Sequence, residues 1–211
     1  MANRDNHYEA AFDAWLRWLR VPYVAVDETH RAAAPVASHR ERTLKSLDFI
    51  VSPAGSPWSW LVDVKGRQFP TAGRQYWRNW STADELESLA GWESLFGSRS
   101  IALLVFAYNV VGELAPLPAS ELFVFRDNLY GFVGIRLDHY ASFARRLSPR
   151  WGTVTLPVSQ FRSLARPVRE LLGVPLPAAP SLPPAGRFGL TSVAANSEEN
   201  NGRLESPPLR A

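Results

Sequence analysis

The sequence predicts an α/β domain whose core runs helix, strand, strand, strand, helix, strand, followed by C-terminal additions. Three observations lead to this fold class. Apolar residues recur at helical spacing over residues 6–20, which gives an N-terminal amphipathic helix. Two alternating segments, 47–51 and 58–64, flank a Pro/Gly-rich connector, which is typical of a β-hairpin. A near-continuous apolar run at 101–108 is typical of a strand buried on both faces. The central sheet is therefore expected to be mixed.

The other elements complete this order. Asp5 or Asn6 can cap the first helix, and Pro22 ends it. Ser81 or Thr82 can cap a second helix that runs to about Phe96, where Gly97 stops it. The remaining predictions are a strand at 23–26, loops at 28–43 and 66–80, a hairpin at 121–135, and helices at 138–147 and 158–172.

The length and composition predict one domain with a tail. A chain of 211 residues suits a single domain, which we place at residues 1–175. Residues 176–211 are rich in Pro, Ala and Ser with few large apolar side chains, so we expect a disordered tail. We find no internal repeat.

Composition also narrows the function classes. The chain has no cysteine, which excludes disulfides, thiolate metal sites and a cysteine nucleophile, and fits a reducing compartment. The first 15 residues carry acids and no long apolar run, and the most apolar stretch is too short to span a bilayer. We therefore expect a cytoplasmic protein with no membrane partner. A net charge of +3 mildly favours a polyanionic partner.

The hairpin carries the residues most suggestive of chemistry. Side chains alternate along a strand, so Asp63 and Lys65 share one face, opposite Trp60, Val62 and Val64. A turn near residues 54–55 would place Asp48 roughly opposite residues 61–63. Two carboxylates in close cross-strand contact repel, and Mg²⁺ or Mn²⁺ would relieve the repulsion. The alternative is a solvent-facing Asp–Lys pair on an edge strand, and the hairpin alone does not separate the two.

Lys65 is unusual in a chain that strongly prefers arginine. Only Lys45 and Lys65 are lysines among 23 basic residues. A compact ammonium beside a metal-bound water can orient it, or stabilise charge that grows on a phosphate. The choice of Lys at position 65 is consistent with that need.

These residues resemble the motif of the PD-(D/E)xK superfamily, which includes restriction endonucleases and archaeal Holliday-junction resolvases. The resemblance rests on Asp48, a hairpin, Asp63-Val64-Lys65 and the αβββαβ order, with Glu9 at the position of the first-helix acid. Leu47 replaces the Pro of the superfamily name, and Asp63 is the acid of the strand motif.

The resemblance implies a restriction-endonuclease-like core and a Mg²⁺-dependent nuclease, with Mn²⁺ as a possible substitute. Glu9, Asp48 and Asp63 would hold the metal with help from the Val64 carbonyl, and Lys65 would assist the nucleophile. The expected partner is nucleic acid, with DNA favoured over RNA, and a homodimer is an open option because many similar nucleases are dimers.

Residues 7–13 (HYEAAFD) also resemble a narrower family of uncharacterised bacterial proteins named for its HYExAFE signature. Asp13 stands where that name has Glu, which keeps the charge and leaves a specific role for position 13 open.

A second group of residues suggests nucleic-acid contacts. The candidates are basic or polar side chains near the motif and at the start of the first helix: His7, Arg67, Gln68, Arg74 and Arg78. For His7 the alternative is capping or packing at the helix start, and for Gln68 it is a plain loop amide. Trp77 and Trp80 could stack on bases or belong to the core. Arg145, Arg146 and Arg150 are interpreted as a solvated helix end.

Two further functions stay open at this point. The chain could be a nucleic-acid or protein binding module on the same fold without catalysis. It could also be an interaction protein that works through its tail.

Overall fold

The computed structural model describes residues 6–26, 44–70, 76–176 and 191–192. The predicted loop at 28–43, Arg74 and nearly all of the predicted tail lie outside these residues, and the division of the chain at residue 175 stays a prediction. No helix in the described part of the chain has the length and apolar character needed to cross a membrane.

The predicted core order is confirmed by the first half of the structure. The elements in chain order are α1 (His7–Trp18), β1 (Tyr23–Ala25), β2 (Phe49–Val51), β3 (Ser59–Phe69), β4 (Ser81–Thr82), α2 (Ala83–Phe96) and β5 (Ser100–Val110). The additions are β6 (Leu114–Ala115), β7 (Leu122–Phe125), β8 (Asn128–Arg136), α3 (Leu137–Phe143), β9 (Arg145–Ser148), β10 (Thr153–Thr155), α4 (Val158–Leu164), β11 (Arg166–Pro167), α5 (Val168–Leu172) and β12 (Thr191–Ser192).

The central sheet is mixed, as predicted. Its strands lie in the order β1-β2-β3-β5-β8-β11, and β7 pairs with β8. β3 and β5 pair in parallel along their whole length, and the other neighbours are antiparallel. Residues 102–110 of β5 are all buried, so the apolar run at the sheet centre is covered on both faces.

Helix α1 covers one face of the sheet. The Asn6 side chain accepts a hydrogen bond from the backbone N–H of Tyr8, which caps the helix start. Its apolar stripe buries Phe12, Trp15 and Leu16, and the Phe12 ring contacts the Phe49 ring at a centroid distance of 5.3 Å. Each such buried side chain contributes about 1.5–3 kcal/mol. This packing sets the start of α1 close to β3.

Helices α2 and α3 cover the other face. Thr82 and Glu85 form a capping box at the start of α2, and Gly97, with φ +81°, follows its last residue. In α3, the buried Tyr140 donates a hydrogen bond to the Asn79 carbonyl at 2.6 Å. The segment before α2 is thereby fixed to the second half of the chain.

Four local predictions are wrong. The loop predicted at 66–80 starts too early, because β3 continues to Phe69. The strand predicted at 47–51 begins only at Phe49, and Leu47 packs in the core on the α2 side, whereas Phe49 and Val51 pack on the α1 side. The predicted helix at 138–147 ends at Phe143, and residues 145–148 form β9. The predicted helix at 158–172 is interrupted at Arg166–Pro167, since proline cannot continue the hydrogen-bond ladder of a helix.

Two small sheets complete the structure. The first contains β4, β10 and β9, so the strand that precedes α2 is held by a hairpin from residues 145–155. In the second, β12 pairs in parallel with β6.

Candidate active site

The site lies where β2 and β3 separate. Their pairing runs to Phe49 opposite Val62, and the next pair along the register is Asp48 opposite Asp63, as predicted. The Asp48 backbone N–H still donates to the Val62 carbonyl at 2.9 Å. One step further along β3, the acceptor is the Asp48 side chain, whose Oδ2 accepts a hydrogen bond from the Val64 N–H at 2.6 Å. A side chain thus replaces the missing strand partner of β3.

Asp63 and Lys65 lie together on the α2 face of β3, as the alternation predicts. The Lys65 Nζ is 2.7 Å from the Asp63 Oδ2 and 3.0 Å from the Glu85 Oε1. The two side chains of β3 are about nine-tenths buried, with 13% and 14% of their surface exposed. The solvent-facing Asp–Lys pair is therefore wrong, since this pair is enclosed between β3 and α2.

The buried carboxylates act on one another. Burial raises the pKa of Asp48 well above its ordinary value, and the charges of Asp63 and Glu9 raise it further. Burial also raises the pKa of Asp63, although the Lys65 ammonium opposes the shift. Burial lowers the pKa of Lys65, but Asp63 and Glu85 together bring it above its ordinary value. Burial therefore favours the neutral, protonated forms of Asp48 and Asp63.

Glu9 approaches the site from α1. Its Oε1 accepts a hydrogen bond from the Asn6 side-chain amide at 2.5 Å, in the first turn of the helix. Its charge raises the pKa of Asp48, so the two carboxylates are close enough to interact. α1 and α2 lie on opposite faces of the sheet, so Glu9 acts on Asp48 from one face and Glu85 contacts Lys65 from the other.

The donor set fits a hard divalent cation in its chemistry. Glu9, Asp48 and Asp63 supply carboxylate oxygens, the ligands that Mg²⁺ and Mn²⁺ prefer. Across residues 6–26, 44–70, 76–176 and 191–192, no three acidic or histidine side chains are arranged closely enough to share one metal ion. Asp63 is instead held by Lys65.

Glu85 is a site residue that sequence reasoning missed. Its Oε2 accepts hydrogen bonds from the Ser81 hydroxyl at 2.7 Å and the Thr82 N–H at 2.9 Å, while its Oε1 pairs with Lys65. Burial would raise its pKa, but Lys65 and these donors lower it to about 2. The capping-box spacing pointed to Glu85 as a helix cap only. Its contact with β3 has no sequence signal.

Arg67 is engaged inside the protein. Its guanidinium carbon lies 4.0 Å from the centre of the Trp80 ring, and its amino groups donate to the carbonyls of Gly66 and Trp80. Trp77, on the same segment, is buried in the core. The contacts of Arg67 in this structure are all with other residues of the protein. Its predicted contact with a phosphate stays a prediction.

The other residues with a predicted nucleic-acid contact have different surroundings where the structure describes them. Gln68 is exposed and lies on the opposite face of β3 from Lys65. Arg78 is exposed, and its carbonyl accepts a hydrogen bond from the Tyr108 hydroxyl at 2.9 Å. The His7 Nδ1 lies 2.7 Å from the Tyr130 hydroxyl. Arg74 lies outside the described residues, and for all four a nucleic-acid contact stays a prediction.

A small cleft lies beside Asp63 and Glu85, between β3 and α2. Its lining residues come from β3, α2 and the segment before β2: Lys45, Ser46, Asp63, Glu85, Ser88, Leu89 and Trp92. The Trp92 indole N–H donates to the Lys45 carbonyl at 2.7 Å, which fixes the segment against α2. Both lysines of the chain therefore lie at this site. The sequence predicted this position for Lys65 but not for Lys45.

Asp13 has a structural role in this arrangement. Its carboxylate accepts a hydrogen bond from the Tyr23 hydroxyl and pairs with Arg17. It therefore ties α1 to β1.

Comparisons with known proteins give limited similarity. No protein-family model matches the chain, and no curated protein matches it. Among solved structures, the chain is similar to Hjc, a Holliday junction resolvase from Archaeoglobus fulgidus, with 14% sequence identity and a TM-score of 0.44. The match covers 79% of this chain and 98% of the resolvase. At this level of similarity the activity of the resolvase does not transfer to the chain.

Proposed function

We propose that the chain is a metal-dependent nuclease that hydrolyses nucleic-acid phosphodiester bonds, with Mg²⁺ or Mn²⁺ as cofactor and DNA as the expected substrate. One observation supports the proposal above all. Asp48, Asp63, Lys65 and Glu85 meet at the separation of β2 and β3, and Glu9 acts electrostatically on Asp48. Such a concentration of buried charge is costly in a purely structural sheet.

To hold the metal, the carboxylates of Asp48, Asp63 and Glu9 would have to come closer together than they lie here, and the Val64 carbonyl would be a further oxygen ligand. When bound, the cation would polarise a phosphate oxygen and lower the pKa of a water molecule. The residues of the chain provide the rest. Asp48 is oriented by its hydrogen bond from the Val64 N–H, so one of its oxygens is fixed relative to β3.

Lys65 has two partners, and this bears directly on its role. Asp63 can serve a cation only if it shares or releases the Lys65 ammonium, which lies 2.7 Å away. Glu85 provides a second carboxylate at 3.0 Å, itself oriented by Ser81 and Thr82. Glu85 would therefore keep the ammonium beside the site, where it can stabilise negative charge on a phosphate. We assign Glu85 as a positioning residue.

The same contacts favour a second candidate. If the Lys65 ammonium stays on the Asp63 carboxylate, it excludes a metal from that oxygen, and the chain would then be a non-catalytic nucleic-acid binding module. We also propose that the chain belongs to the HYExAFE family and forms a homodimer. Both remain predictions.

A cleavage assay separates the candidates. Single-stranded, duplex and four-way-junction DNA and a matched RNA are incubated with the protein and Mg²⁺, Mn²⁺ or EDTA. We expect metal-dependent cleavage that falls about 100-fold or more in Asp63→Ala and Lys65→Ala, since each removes a charge at the reacting phosphate.

Asp138→Ala is the matched control, because Asp138 is an exposed acid paired with Arg136 away from the site. Equal cleavage by the parent and both site variants would reject the site. Binding of nucleic acid without any cleavage would support the binding module.

A further inference from the structure

An exposed basic hairpin lies on the strand that leads into α2. β9 and β10 pair around a turn at residues 149–152, and β10 pairs with β4, whose Thr82 caps α2. The Gly152 carbonyl accepts a hydrogen bond from the Ala83 N–H at 2.9 Å. The tip of the hairpin is thereby attached to the helix whose Glu85 pairs with Lys65.

The turn presents an aromatic ring to solvent on a fixed backbone. Trp151 is 69% exposed, and no packing requirement of the described structure accounts for so open an indole. Pro149 restricts the start of the turn, and Gly152 supplies the left-handed conformation at its end, with φ +58°. A register irregularity in β9 lies beside Leu147, which is 55% exposed. Trp151 and Leu147 are therefore both exposed on this hairpin.

The segment of the chain that carries this ring is basic. Between Asp138 and Glu170 the chain has six arginines and no acidic residue. Three of them have partners in the fold, since Arg169 pairs with Glu121, Arg166 donates to backbone carbonyls, and the Arg162 guanidinium lies 5.6 Å from the Trp77 ring.

The three arginines of the hairpin differ from these. Arg145, Arg146 and Arg150 are exposed, and none forms an ion pair with a carboxylate of the described residues. The Arg150 guanidinium lies 5.3 Å from the centre of the Trp151 ring. Exposed arginines without acidic partners fit the phosphates of a polyanion, and an exposed indole fits the face of a base.

We propose that the β9–β10 hairpin binds single-stranded nucleic acid, with Trp151 stacked on an unpaired base and Arg145, Arg146 and Arg150 on the neighbouring phosphates. The earlier interpretation of these arginines as a solvated helix end is wrong, because they lie on the hairpin. The hairpin would hold the unpaired segment on the α2 side of the sheet, where the cleft opens. The proposal deepens the proposed function by naming a substrate form, but the binding itself needs no catalysis.

Fluorescence anisotropy with a labelled oligothymidylate and a labelled blunt duplex of equal length tests this proposal. The measurement is made in EDTA so that cleavage does not enter. We expect Trp151→Ala to weaken single-strand binding about 5- to 100-fold, the usual effect of losing one base–aromatic stack. Trp151→Phe should keep most of the affinity, and duplex binding should change far less. Arg150→Ala should reduce the salt dependence of binding.

The chain offers a matched pair of control residues beside the first residue of β3. Trp58 is 43% exposed, and Arg99 lies next to it, because the Arg99 carbonyl accepts a hydrogen bond from the Ser59 N–H. Trp58→Ala therefore removes an exposed indole, and Arg99→Ala removes an exposed guanidinium, at a place outside the hairpin. Neither should change binding. Thermal unfolding of each variant checks that it folds.

Three results would overturn the proposal: no binding by the parent, equal affinities of Trp151→Ala and the parent, or an equal loss in Trp58→Ala. These outcomes are distinct from failure of the nuclease proposal. Loss of binding in Trp151→Ala without cleavage by the parent would support the hairpin alone. Cleavage that depends on Lys65 and ignores Trp151 would support the nuclease alone.

Discussion

A methyl group at Gly66, the residue after Lys65, should push α1 away from the site. An ideal Cβ at this position would lie 2.1 Å from the Tyr8 Cδ2 and 2.4 Å from its Cγ. Ordinary carbon contacts are about 3.5–4.0 Å, so the ring would have to retreat by about 1.5 Å. The ring is confined, since its centroid is 3.9 Å from that of His7 and 6.2 Å from that of Tyr130.

We therefore expect Gly66→Ala to lower the free energy of unfolding by about 1–3 kcal/mol, the range for overpacking a filled site. Denaturant unfolding of the parent, Gly66→Ala, Tyr8→Ala and the double variant gives the coupling between the two positions. In the Tyr8→Ala background the added methyl group meets no ring, so its cost should disappear. Strictly additive costs would refute the contact. Because Glu9 follows Tyr8, cleavage by Gly66→Ala should also fall.

Three further predictions concern the surroundings of the site. The folded pKa of Glu85, about 2, lies below its ordinary 4.5, so its stabilisation is complete above about pH 4.5 and lost as the pH falls towards 2. The difference in melting temperature between the parent and Glu85→Gln should shrink over that window, and a constant difference would contradict the pairing with Lys65. For Asp48 the sign is opposite. Its folded pKa is raised, so in EDTA Asp48→Asn should increase the melting temperature, and the gain should grow as the pH rises above about 4; a loss at neutral pH would argue against it. Asn79→Ala leaves the buried Leu156 N–H without its 2.8 Å acceptor, which should cost about 1–3 kcal/mol in denaturant unfolding, whereas an unchanged midpoint would show that water replaces the amide.

The sequence predicts the core of this fold well because its signals are local. The α1 stripe, the capping box at Thr82, Gly97 after α2 and the buried run of β5 each appear within one segment. Alternation along β3 correctly places Asp63 and Lys65 on one face, and the hairpin turn correctly sets Asp48 near Asp63.

The features that escaped prediction depend on contacts between distant segments. The contact between Glu85 and Lys65 joins α2 to β3 across the parallel connection, and no spacing rule reports it. The packing of the Arg67 guanidinium on Trp80 likewise has no local signal, and its nucleic-acid contact stays a prediction. Helical spacing continued past Phe143, yet pairing of β9 with β10 decides the conformation there. Tertiary pairing overrides local propensity at such positions.

Calorimetric titration with Mn²⁺ tests most directly whether the separation of β2 and β3 is a metal site. The parent should bind one ion, and Asp48→Asn and Asp63→Asn should each weaken binding by about tenfold or more, or about 1.4 kcal/mol. Asp138→Asn, which changes an exposed acid paired with Arg136, should bind like the parent. Equal affinities across the parent and both site variants would contradict a metal site at these carboxylates.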